Sequence, residues 1–259
     1  MILNKKILYL INIISITILF LYFTSSEFHF YQVEQFSSEE LKIYCINLKE
    51  HPERWEKIKE KLPRCVRFDA INGKKLNRKI LTKKGILKER NTLLDGQLGC
   101  ALSHISVMDI IKKQPEPYAL ILEDDVIIPD NFVEELEELK KYFPEKWDVI
   151  FLGGCNIFGK KINNKIIKPT DISGTRNLCM HAFIVNKSSI DKLINYLYPL
   201  YRPVDSQLRD NFKDLDIFYA NPNIINQNKT LTSIRRVLDG LPQSEYWKTH
   251  HKDITIDDQ

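Results

Sequence analysis

The 259-residue chain is 43% hydrophobic, enough for one sizeable globular core with accessories. Its formal net charge is only +4, and no basic stripe interleaved with aromatics runs through it, which argues against a nucleic-acid partner. Five cysteines (Cys45, Cys65, Cys100, Cys155, Cys179) lie far apart without a Cys-x-x-Cys pair, so a zinc site or thioredoxin-like centre is not expected. Most read as small core residues, with one disulfide open to the chain in an oxidising compartment.

Ile7 to Phe23 form a nearly unbroken apolar run, close to the minimum length of a membrane-spanning helix. Lys5 and Lys6 precede it and Glu27 is the first charge after it, so the positive-inside bias predicts a cytoplasmic N-terminus and a chain that continues across the membrane. A cleaved signal peptide is the rival reading, but the run is longer than the usual apolar region of one and no Ala-x-Ala-like site follows. Residues 1–24 are therefore expected to be a cytoplasmic tip and anchor, 25–40 a stem, 41–240 the globular domain and 241–259 a polar tail.

In the globular part, Lys42 to Leu48 is β-branched and aromatic and predicts the first strand. His51-Pro52 then opens a helix whose Trp55, Ile58 and Leu62 share a face. A second strand, Cys65 to Ile71, ends at the turn Asn72-Gly73. Residues Lys74 to Asn91 are basic and polar and read as a surface loop. Leu98, Ala101, Leu102, Ile105, Met108 and Ile111 are spaced for an amphipathic helix with Asp95 as N-cap. Ser103 and His104 lie inside it.

The next strand carries the most informative stretch, Ala119 to Ile128, an apolar run interrupted by Glu123-Asp124-Asp125. Three adjacent acids repel, and burying them unpaired costs several kcal/mol or forces a proton on. They need solvent or a cation. If the segment stays extended, Glu123 and Asp125 share a face suited to one hard divalent ion, and Asp124 points to the other. An acidic turn after a core strand is the bland reading, and a receiver domain also pairs acids, although after its first strand.

After this stretch, Pro129-Asp130 starts a helix through Phe143, and Trp147 to Leu152 is a strand closed by Gly153-Gly154. Cys155 to Asn177 read as loop. His181 to Val185 is a strand, Ser188-Ser189 caps a helix, Pro203-Val204-Asp205 follows, and Asp216 to Ala220 is the last good strand. The tail carries His250-His251. Alternating strands and helices predict an α/β fold with a largely parallel sheet, in which ligands sit beyond the carboxyl ends of strands.

Taken together, these residues resemble glycosyltransferase family 25, the lipooligosaccharide and collagen galactosyltransferase group. The resemblance rests on Ile46-Asn47-Leu48 with Pro52-Glu53-Arg54, on Arg67 to Ala70 with Asn72-Gly73, and on Gly99 to His104. It continues through Tyr118 to Asp125, Trp147 to Gly154, His181-Ala182-Phe183 and Pro203-Val204-Asp205. Asn72 stands where an acid is usual, and Cys179-Met180 where the family usually has Gly-Thr. The resemblance implies a GT-A-like nucleotide-binding domain with a mostly parallel mixed sheet. It further implies inverting transfer of a sugar, galactose in this group, from a UDP-sugar donor to a glycan or glycoprotein acceptor. Asp125 with Glu123 or Asp124 would hold Mn²⁺ or Mg²⁺ on the donor diphosphate. Asp205 would be a second metal ligand or the acceptor's base, with His181 as the other candidate base. Asn47 and Arg54 would contact nucleotide, and Ser103 and His104 would lie near phosphate or sugar. A catalytically silent relative acting as a membrane-anchored binding module is the competing expectation.

Overall fold

The computed structural model describes residues 41–170 and 176–228, together with the backbone of 254–256. The apolar run, the stem and His250-His251 lie outside the described residues. Among those residues, no helix is long and apolar enough to cross a membrane.

Strand β1 (Lys42–Asn47) leads into α1 (Pro52–Lys61), with Pro52 in the first turn, where its missing N–H costs nothing. Strand β2 (Val66–Asp69) is shorter than the sequence predicts and lies at the sheet edge. The stretch expected to be a loop contains a 3₁₀ turn at Gly73–Lys75 and helix α2 (Arg78–Lys83), whose N-cap Asn77 accepts a hydrogen bond from Ile80 N at 3.2 Å. Helix α2 buries no residue, which is why no apolar periodicity marks it.

Helix α3 (Asp95–Ile111) begins at the predicted cap, so Asp95 is its first residue and the N-cap position is Leu94, one residue earlier. Leu94 offers no side-chain acceptor, and its backbone N–H donates instead to Gln97 Oε1 at 2.9 Å. Strand β3 (Tyr118–Glu123) follows, then the short β4 (Val126–Ile127), helix α4 (Phe132–Lys140) and β5 (Val149–Cys155). Gly153 and Gly154 do not close β5 but lie inside it. A Cβ at Gly153 would stand 1.8 Å from Ile225 O, and one at Gly154 would stand 2.6 Å from the Tyr219 ring, so both positions serve close packing.

The second segment expected to be loop is a hairpin of β6 (Ile157–Lys161) and β7 (Ile166–Pro169), paired through Gly159–Pro169 to Lys161–Ile167. Strand β8 (Leu178–Asn186) then crosses the middle of the sheet, followed by α5 (Ile190–Leu197), α6 (Val204–Arg209), β9 (Ile217–Ala220), β10 (Asn226–Gln227) and β11 (Ile254–Ile256).

The nine-stranded sheet has the order β11-β6-β7-β9-β5-β8-β3-β1-β2, and β10 pairs with β4 outside it. The sheet is mixed, with as many antiparallel as parallel pairs, which corrects the expectation of a largely parallel one. The parallel pairs are β1–β2, β1–β3, β5–β9 and β6–β11. Against them stand antiparallel β3–β8, β5–β8, β6–β7 and β7–β9, and the separate β4–β10 pair is antiparallel as well. A strand buried on both faces is apolar throughout whichever way it runs, so its direction leaves no mark in its composition.

Both sheet faces are covered. Alternate residues of β3 enter opposite cores: Ala119 and Ile121 join the face under α3, α5 and α6, while Leu120 and Leu122 join the face under α1 and α4. Because β8 runs against β3, with Leu122 opposite Ala182, the amino-terminal end of β8 lies beside the carboxyl end of β3. This reversal carries Cys179 and Met180 to the acidic triplet.

Candidate active site

A cavity of about 440 Å³ opens beyond the carboxyl ends of β1 and β3. Glu123, Asp124 and Asp125 line it, as do Arg54, Ser103 and Asp205. Asp124 and Asp125 form a turn between β3 and β4, so the simple in–out alternation of an extended strand ends at Glu123.

Each acid meets a different compensation. Glu123 Oε1 lies 3.0 Å from His104 Nε2 and accepts from Cys100 Sγ at 3.3 Å. Burial pushes the Glu123 carboxyl up, but the His104 hydrogen bond and the surrounding charge outweigh it and leave the group below its ordinary value. Asp124 turns towards β1: its Oδ2 accepts from Asn47 Nδ2 at 2.7 Å and its Oδ1 from Arg54 Nη1 at 3.2 Å. Both members of the Arg54–Asp124 pair are largely buried, so removing either would strand a charge.

Asp125 has no such partner. Its Oδ2 accepts a neutral amide bond from Gln227 Nε2 at 3.0 Å, and its Oδ1 is buried without a partner. Burial first, then the Glu123 charge, push its carboxyl up to about 7. A buried carboxylate oxygen with no donor, beside a second carboxylate, fits a divalent cation. Asp125 with Glu123 are the residues that would hold it, whereas Asp124 is committed to Arg54 and Asn47.

Asp205 sits in the first turn of α6 and lines the same cavity. Its Oδ1 accepts from Ser206 N at 2.7 Å and its Oδ2 from Cys179 N at 3.0 Å. The Cys100 thiol, raised well above its ordinary value by burial and then by the Glu123, Asp205 and Asp125 charges, stands among all three carboxylates. Acids from β3, the turn after it and α6 thus line one cavity.

Of the remaining predicted residues, Ser103 lines the cavity while Asn47, His104 and His181 are not among its lining residues. Asn47, which is 1% exposed, also donates Nδ2 to His51 O at 2.9 Å and ties the end of β1 to the start of α1. Ser103 accepts from Ile71 N at 2.8 Å and donates to Gly99 O at 2.7 Å, which binds the loop after β2 to α3. That contact needs glycine, since a Cβ at Gly99 would stand 2.3 Å from Ile71 O. His104 is fully buried and reaches the cavity only through Glu123. His181 is not brought to the cavity. It is buried in β8 with Nε2 3.1 Å from Ile225 O, and burial holds its imidazole below the ordinary value.

Sequence reasoning gave no role to Cys100, Gln227 or the Cys155–Cys179 disulfide that joins the ends of β5 and β8. A lone glutamine and two cysteines 24 residues apart carry no local pattern. Only the pairing of β10 with β4 brings Gln227 to Asp125.

The sequence matches glycosyltransferase family 25 (LPS biosynthesis protein) over residues 40–208, a span that holds every acid of the cavity. The chain belongs to glycosyltransferase family 25. A rat relative of this family, named probable inactive glycosyltransferase 25 family member 3, is 31% identical over 43% of this chain and 22% of its own length. A mimivirus procollagen lysyl hydroxylase and glycosyltransferase is 28% identical over 61% of the chain and 20% of its own length. Procollagen galactosyltransferase 1-B of Xenopus laevis is 26% identical over 60% and 28%. The family 25 chain therefore spans under a third of the length of these relatives. Mouse xyloside xylosyltransferase 1 is a loose structural likeness, with a TM-score of 0.32 and 11% identity over 67% of this chain and 68% of that one.

Proposed function

We propose that this family 25 chain transfers a sugar, galactose by analogy with the name of the frog relative, from a UDP-sugar to a hydroxyl of a glycan or glycoprotein. The observation that carries the reading is Asp125: a buried carboxylate lacking a cationic partner, in the wall of a cavity that Glu123 and Asp205 also line. In this reading Asp125 and Glu123 hold Mn²⁺ or Mg²⁺. The ion, when bound, supplies positive charge to the donor diphosphate. Arg54, Asn47 and Asp124 keep the end of β1 rigid against the nucleotide.

Asp205 is the proposed base. It takes the proton of the acceptor hydroxyl as that oxygen bonds to the anomeric carbon; the carbon–phosphate-oxygen bond breaks with its electron pair leaving on the diphosphate, and the configuration inverts. His181 is the weaker candidate because its Nε2 is engaged by Ile225 O and the ring lies off the cavity. Asp205→Asn is expected to lower kcat by about two to four orders of magnitude with Mn²⁺ affinity unchanged. A comparable loss of Mn²⁺ affinity would make Asp205 a metal ligand instead.

A thermal-shift titration with UDP tests the whole reading. Stabilisation that requires Mn²⁺ and disappears in Asp125→Ala supports it, and the sugar follows from Mn²⁺-stimulated hydrolysis across a panel of UDP-sugars. The second reading, a silent binding module, is favoured by the name of the rat relative; it predicts no UDP binding with or without metal. The apolar run is proposed as an uncleaved anchor with the domain across the membrane. Glycan occupancy at Asn186-Lys187-Ser188 or Asn228-Lys229-Thr230 in a glycosylating host would support that orientation.

A further inference from the structure

Three non-glycine residues among the described residues have positive φ: Asn156 at 51°, Asn177 at 53° and Cys179 at 74°. All lie within two residues of the Cys155–Cys179 bridge. Asparagine tolerates the left-handed region, and Asn177 is further held where its side chain bonds both Phe158 N at 2.8 Å and Phe158 O at 2.9 Å. Cysteine has no such allowance, because its Cβ crowds the following carbonyl. Yet it is in this conformation that the Cys179 amide meets Asp205 Oδ2 at 3.0 Å, on the wall of the cavity.

We propose that the Cys155–Cys179 bridge is a positioning device: by tethering the Cys179 side chain it holds that residue in the left-handed conformation that aims its amide at Asp205. This rests on the reading of Asp205 as the base. Asp205 Oδ1 remains anchored to Ser206 N without the bridge, so its loss lets the carboxylate swing about that anchor. The result is a base that faces the acceptor less often, with the donor side untouched, since Asp125 is bonded to Gln227, Glu123 to His104 and Cys100, and Arg54 to Asp124.

Glycine separates the role of the bridge from that of its sulfurs, because glycine adopts positive φ without penalty. Amide hydrogen exchange at position 179 is measured in the full chain for wild type, Cys155→Ser and Cys155→Ser/Cys179→Gly. Exchange is expected to be roughly tenfold faster in Cys155→Ser and to return to about the wild-type rate in the double variant. In the same proteins kcat falls and recovers in step, with the donor KM constant. A dithiol, itself oxidised to its cyclic disulfide as the bridge opens to two thiols, reproduces the loss in wild type and leaves the double variant unaffected. Unchanged protection in Cys155→Ser, or failure of the double variant to recover it, overturns the proposal, as does full kcat in Cys155→Ser with the amide released. If Cys155→Ser does not fold, the reduced wild type and the double variant decide the matter. If even wild type transfers no sugar, the functional reading fails, and the exchange rates still decide whether the bridge holds the amide.

Discussion

At Asp125, burial and the Glu123 charge raise the carboxyl from an ordinary 3.8 to about 7, and this couples the proton to folding. The folded chain binds that proton more tightly than the unfolded one. The stabilisation from protonation is therefore complete below about pH 4 and lost as pH rises through about 7, a change on the order of a few kcal/mol. In chelator, urea midpoints are expected to fall between pH 4 and 7 by more than in Asp125→Asn, whose amide cannot titrate; equal slopes would show that Asp125 is not the group responsible. Mn²⁺ should restore the wild-type midpoint at pH 7.5 and leave Asp125→Asn unmoved. The carboxylates were legible as an anomaly, three acids ending an apolar strand. Their differing fates were not, because Arg54, His104 and Gln227 reach them from three separate elements.

Among the elements, the junction of α3 with the loop after β2 sets one wall of the cavity. Ser103 satisfies Ile71 N, and Gly73 and Gly99 let the two backbones touch: a Cβ at Gly99 would meet Gly73 N at 2.7 Å as well as Ile71 O. Neither neighbour is a flexible side chain that could move aside. Gly99→Ala is expected to destabilise the domain by about 3 kcal/mol, and calorimetry should show a lowered Tm with weakened UDP binding. Ser103→Ala should cost about 1 kcal/mol, since it removes the acceptor of the half-buried Ile71 N–H. Helix α3 was plain from its apolar spacing; the close approach was not, because Asn72-Gly73 signals a turn whether or not a helix packs against it. Helix α2 and the β6–β7 hairpin escaped for the opposite reason, since short, lysine-rich segments that bury few residues or none show little period.

Across the whole molecule, β8 is the organising strand, flanked by β3 and β5 and buried on both faces from Cys179 to Val185. Its central amides, such as Ile184, should exchange only through global unfolding, whereas those of the edge strand β2 should exchange through local opening at least about a hundredfold faster. Native-state hydrogen exchange checks the order, and a β8 that exchanges with the edge would contradict it. By itself, the sequence determined an α/β domain, most of its helices and strands, and the acids at the end of β3, because these follow from local periodicity and from the cost of crowding like charges. Tertiary structure alone decided the direction of β8, the bridge from Cys155 to Cys179 and the meeting of Asp205 with the triplet. Strand direction, disulfide pairing and the convergence of distant carboxylates are set by packing between segments remote in the chain, and no local pattern of residues encodes them.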